Sequence, residues 1–89
     1  MRDFSAPLLA DRPIVYSLGV GSNWYNQWAA DGFCAKKGFK DGAESFEPAG
    51  YLYGYRGEVN IITKGWSNDY SVEKVMASKT ELFARITCR

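Results

Sequence analysis

The side chains best suited to proton transfer are the carboxylates Asp31, Asp41, Glu44, Glu47, Glu58, Asp69, Glu73 and Glu81. The chain contains no histidine, so the commonest general base, proton shuttle and metal ligand is missing. Hydrolytic triads that depend on histidine are thereby excluded. A pair of carboxylates flanking a glycosidic bond is one acid–base chemistry these residues could still supply. The acids are, however, interspersed with lysine and arginine, and such groups are rarely buried unpaired, so solvated surface charge is the expectation. No enzymatic activity, cofactor or metal site is expected, since two cysteines without histidine make no ordinary zinc set.

Cys34 and Cys88 lie far apart and form no CxxC redox motif. Two readings stay open. They are either inert buried thiols of a cytoplasmic protein, packing as small hydrophobes, or one disulfide of an extracytoplasmic protein, stabilising it by roughly 4 kcal/mol in the loop-entropy account. The run Gly19-Val20-Gly21-Ser22-Asn23-Trp24 sits between a predicted strand and a predicted helix, where a dinucleotide fingerprint would aim backbone N–H groups at phosphate. It fails as one: Trp24 replaces the third glycine, and a chain of 89 residues has no room for the doubly wound sheet that accompanies the motif.

Aromatic residues, at 16% of the chain, are the one feature in excess. Trp24, Trp28, Tyr51, Tyr53, Tyr55 and Trp66 are the candidate ligand-binding or interface residues. A two-layer domain has a single core, and Phe33, Phe39, Phe46 and Phe83 already compete to fill it. At least three of the six candidate rings are therefore expected to face solvent. Tyr51, Tyr53 and Tyr55 alternate along a predicted strand and share one of its faces.

The elements that must position these rings follow from hydrophobic period. Residues 1–89 read as a single domain, with an irregular N-terminal arm over residues 1–11. Ile14, Tyr16, Leu18 and Val20 alternate as a first strand. Ser22 or Asn23 is placed to cap a helix that runs to about Lys37, where Lys36 and Lys37 suit the negative end, Gly38 the left-handed close and Phe39 the apolar contact after it. At about 100° per residue, Trp24, Tyr25, Trp28, Ala29 and Gly32 fall on one side of this helix and Ala30 and Cys34 near the other, with Phe33 between. Docking through Ala30, Phe33 and Cys34 would leave Trp24, Tyr25 and Trp28 at the margin. Strands are expected over Ala43–Glu47, Tyr51–Arg56, Glu58–Lys64 and Glu81–Cys88, the last with Leu82, Ala84, Ile86 and Cys88 on its buried face. Ser71–Lys79 fits either a helix, through Val72, Val75 and Met76, or a strand, through its β-branched valines and Tyr70, and the strand is favoured. The fold class is α+β: one main helix on an antiparallel sheet of four to six strands.

A net charge of +1, with eleven basic and ten acidic residues scattered along the chain, carries no footprint for nucleic acid or an anionic membrane. No apolar run approaches the roughly 20 residues that cross a bilayer. The expectation is a small non-enzymatic binding module that recognises a carbohydrate or another small ligand through aromatic faces. The competing expectation is a protein-interaction or inhibitor domain, including a self-associating one, because Tyr and Trp also dominate interface hot spots.

Overall fold

The computed structural model describes residues 1–17, 24–50 and 54–89, with the backbone alone at Asn68. In chain order the elements are β1 (Arg2–Ser5), β2 (Leu8–Leu9), β3 (Arg12–Pro13), α1 (Tyr25–Lys36), β4 (Ala43–Pro48), β5 (Tyr55–Lys64), β6 (Tyr70–Thr80) and β7 (Phe83–Cys88). A short 3-10 turn at Trp66–Asn68 joins β5 to β6. One helix packs against antiparallel strands, the expected α+β class. The seven strands hydrogen-bond in three sets, β1-β7-β4, β2-β3 and β5-β6.

Helix α1 ends as the residues after it dictate. Gly38 takes φ +94°, its N–H donates to Ala35 O (3.1 Å), and the Phe39 N–H reaches back to Cys34 O (2.9 Å). Those two bonds are the Schellman arrangement, and only a residue without Cβ adopts that φ freely. The other end differs from expectation: Trp24, not Ser22 or Asn23, holds the N-cap position, and its side chain makes no capping bond. Ser22, Asn23 and the Gly19–Gly21 turn lie outside the described residues.

The N-terminal segment is not an irregular arm. β1 pairs antiparallel along one edge of β7, from Arg2 opposite Cys88 to Ser5 opposite Arg85. Four polar-flanked residues carry too little periodicity to announce a strand. What orders them is tertiary: Phe4 packs edge-on against Phe33 at 5.1 Å and Phe39 at 6.0 Å between centroids. Downstream, the fully buried Asn60 of β5 donates to Leu9 O (2.7 Å) and accepts from Arg12 Nε (2.8 Å), tying the β2-β3 hairpin to the core with its amide satisfied.

Ile14 and Val15 form bridges rather than a full strand, as far as the described residues reach. Ile14 bridges Asn60 in parallel and Val15 bridges Leu82 in antiparallel fashion, so this segment joins the β5-β6 hairpin to the β7 sheet. Both Ile14 and Val15 are buried, and the expected one-sided alternation is absent.

The expected strands Tyr51–Arg56 and Glu58–Lys64 are replaced, over the described residues, by one: β5 runs straight through Gly57 (φ +139°). β6 is a strand, as expected, and pairs with β5 from Lys64 opposite Tyr70 to Tyr55 opposite Thr80. In β7 the alternation expected from Leu82 to Cys88 breaks, because Glu47 pairs with Arg85 while Pro48 pairs with Phe83, leaving Ala84 as an extra residue. This bulge exposes Ala84 and turns Phe83 inward, where it meets Tyr16 (5.0 Å) and Phe46 (5.6 Å).

Candidate functional site

Helix α1 decides which rings go inside. Its inner side is covered on two flanks. On one, Cys34 is disulfide-bonded to Cys88 (S–S 2.02 Å, Cα–Cα 5.5 Å). On the other, Gly32 lies so close to the hairpin that a Cβ there would stand 2.5 Å from Ile62 Cγ2 and 2.7 Å from Tyr70 Cδ1. Tyr25, expected at the margin, is buried on this second flank, and its hydroxyl oxygen accepts the Ile62 N–H at 3.2 Å. Burial pushes the Tyr25 hydroxyl up to about 12, the Ile62 amide opposing it more weakly.

The outer sector of the same helix carries Trp24, Trp28, Asp31 and Ala35, which fall within about 60° of one another at 100° per residue. Trp24 is 71% exposed and Trp28 42%. Gln27 lies beside them. Beside the Asp31 and Ala35 end of this sector lies an open groove of about 880 Å³, walled on one side by Gln27, Asp31 and Ala35 of α1. The opposite walls come from the Gly38–Glu44 turn, from Lys64 and Tyr70 at the end of the β5-β6 hairpin, and from Arg89.

Asp31 organises the groove. Its Oδ1 accepts the Ala43 N–H at 2.8 Å and Gln27 Nε2 at 3.0 Å, which leaves Oδ2 to accept a further donor. Gly42, at φ +75°, lets the turn press against that carboxylate; a Cβ there would meet Oδ1 at 2.8 Å. Tyr70 opposite has its hydroxyl pKa raised, first by burial and second by the Asp31 charge. Arg89 Nε pairs with Glu44 Oε2 at 2.7 Å, and the Arg89 N–H donates to Gly42 O at 3.1 Å. The hydrogen bond and charge of Glu44 raise the Arg89 pKa. Because Cys88 precedes Arg89 and Cys34 lies within α1, the disulfide holds this wall against the helix.

Trp28 stands next to the groove's Lys64, whose Nζ is 6.0 Å from its ring centroid. Trp66, 92% exposed, stands two residues beyond Lys64 in a turn closed by Gly65 N–H to Asp69 O (2.6 Å) and Asp69 N–H to Trp66 O (3.2 Å). The three tryptophans thus occupy α1 and the hairpin turn whose base forms part of the groove wall. Tyr55 does not join them. It is half-buried at the far end of β5, about 30 Å of strand from Lys64, with its ring against Gly57. Tyr51 and Tyr53 lie outside the described residues.

Among the carboxylates, Asp41, Glu44, Glu47, Glu58, Asp69 and Glu73 are exposed. Glu81 is buried and accepts the Gly50 N–H at 3.1 Å. Among the described residues no cluster of three or more His, Cys, Asp or Glu side chains is placed to hold a metal ion, and no helix is long and apolar enough to cross a membrane. Of the groove residues, Asp31 was expected only as solvated surface charge, and nothing in the sequence singled out Gln27, Lys64, Tyr70 or Arg89 as site residues. Gln27 and Asp31 stand one helical turn apart and flank Trp28, a local signal, whereas the other walls arrive through tertiary contacts alone. Comparison with protein families, with curated proteins and with solved structures finds no match to this chain.

Proposed function

We propose that this domain is a non-enzymatic carbohydrate-recognition module. The observation that carries the reading is the exposed Trp28 ring, 6.0 Å from the ammonium group of Lys64, beside a groove that also offers the Gln27 amide, carboxylates, the Tyr70 phenol and the Arg89 guanidinium. A sugar ring has an apolar C–H face and a polar hydroxyl edge, and a site for it needs that pairing of flat apolar surface with a few directed polar groups. The C–H face stacks on the Trp28 indole. Hydroxyls on the edge then donate to Asp31 Oδ2 and accept from Gln27, Lys64 and the Tyr70 hydroxyl. Two of the three groove carboxylates carry structural bonds, Asp31 to the Ala43 backbone and Glu44 to Arg89, which supports binding rather than hydrolysis.

A glycan array followed by calorimetry on the wild type and Trp28→Ala tests the reading. The expected result is at least one glycan hit whose affinity falls by about 1 kcal/mol or more in the variant, with the circular dichroism unchanged. No glycan hit, together with size that grows with concentration in light scattering, overturns it in favour of a self-associating interaction domain.

A further inference from the structure

Resting on that carbohydrate reading, we infer that the ligand is an extended oligosaccharide lying along the outer face of α1, with successive sugar rings on Trp24, on Trp28 and in the groove. Trp24 and Trp28 stand one turn apart, since the Trp28 N–H donates to Trp24 O at 3.1 Å. They are separated by about 6 Å along the axis and rotated by only about 40° about it. That offset matches the advance from one pyranose ring to the next in an extended chain. Both indoles are exposed, and both stand in the sector that Asp31 and Ala35 continue into the groove. From Trp24 to Ala35 the sector is about 16 Å long at about 1.5 Å per residue, the length of about three sugar units.

The two ends of this path differ in chemistry. Trp24 offers stacking surface but stands apart from the polar walls, so it holds a ring loosely and without choice of hydroxyl pattern. The groove end offers Gln27, Asp31 and Tyr70 and reads hydroxyl positions. A straight row of platforms also selects chain shape: a glycan with equatorial linkages runs straight along a helix, whereas a malto-oligosaccharide curls away from it.

Calorimetry with cello-, chito- and manno-oligosaccharides of one to five units, and with malto-oligosaccharides as the curved control, tests the inference on the full chain. Affinity in at least one straight series is expected to rise about fivefold or more from one unit to three and then level off. Trp24→Ala is expected to remove that gain while leaving the affinity for the single sugar within about twofold; its exposure keeps the change away from the core. A single sugar that binds as tightly as its trimer overturns the extended ligand and leaves the recognition reading standing. Equal binding of the curved series overturns the choice of straight chains. Absence of binding by every saccharide, at every length, overturns the carbohydrate reading itself and the inference with it.

Discussion

The inner and outer sides of α1 use the same kinds of residue for opposite purposes. Phe33 and Tyr25 on the inner side are buried, one in the core and one bonded to the Ile62 amide, while Trp24 and Trp28 a few residues away face solvent. Hydrophobicity does not separate these rings; angular position does. The two flanking sheets cover an arc of the helix from Gly32 through Phe33 to Cys34, and what falls outside that arc is left for a ligand. The inner side is also held in two ways, covalently at Cys34 and by bare closeness at Gly32.

Five tests probe this contrast, from the largest effect to the smallest. Phe33→Ala empties a fully buried site beside Phe4 and is expected to cost about 3–5 kcal/mol in denaturant melts, against under about 0.5 kcal/mol for the exposed Glu47→Ala. Equal midpoints for the two would mean that the helix faces the other way. Replacing both cysteines by serine removes a link between positions 54 residues apart and is expected to cost about 2–5 kcal/mol, read in the same melts. Two free thiols found by titration of the unreduced, denatured wild type would remove the covalent half of the comparison.

Tyr25 supplies a pH-dependent test of the second flank. Its hydroxyl is raised from 10.0 to about 12 in the folded protein. Between those values the unfolded chain releases a proton that the folded chain retains, so stability is full below pH 10 and falls as pH rises toward 12. The loss amounts to about 2–3 kcal/mol, and Tyr25→Phe is expected to lack it. Tyr70 shifts in the same direction and remains in both proteins, so the difference between the two curves isolates Tyr25. Parallel curves across this range would place Tyr25 in solvent.

Gly32→Ala sets two effects against each other. Alanine favours the helix by up to about 1 kcal/mol, but its Cβ meets Ile62 at 2.5 Å and the Tyr70 ring at 2.7 Å. Because those neighbours belong to a packed hairpin, overpacking wins, and a net loss of about 1–2 kcal/mol is expected. A gain in stability would show that the hairpin stands further from the helix. Trp66→Ala, finally, is expected to change stability by less than about 0.5 kcal/mol, since the ring is 92% exposed. A large loss there would erase the distinction between the two kinds of aromatic residue.

Much of the architecture was legible wherever the signal is local. Gly38 and Phe39 announce the end of α1, because a left-handed close needs a residue without Cβ and an apolar residue after it. The valines of Ser71–Lys79 favour a strand, since β-branched residues fit a pleated surface, but Val72, Val75 and Met76 fit a helical stripe as well, and pairing with β5 decides for the strand. Helical period placed Trp24 and Trp28 together, and both are exposed. Other features have no local cause. β1 exists because β7 offers it an edge and Phe33 offers Phe4 a partner; alone, Arg2–Ser5 has no reason to be a strand. The Ala84 bulge is a matter of how β7 registers against β4, so period-two reading fails there. Cysteine spacing could not decide between two thiols and one bond, since only packing brings Cys34 and Cys88 to 5.5 Å between Cα atoms. The groove is of the same kind: the sequence by itself determined that rings would be left outside a core this small, but Asp31, Tyr70 and Arg89 come from three separate parts of the chain, and only the tertiary structure decided that they would meet in one groove, with Lys64 linking it to Trp28.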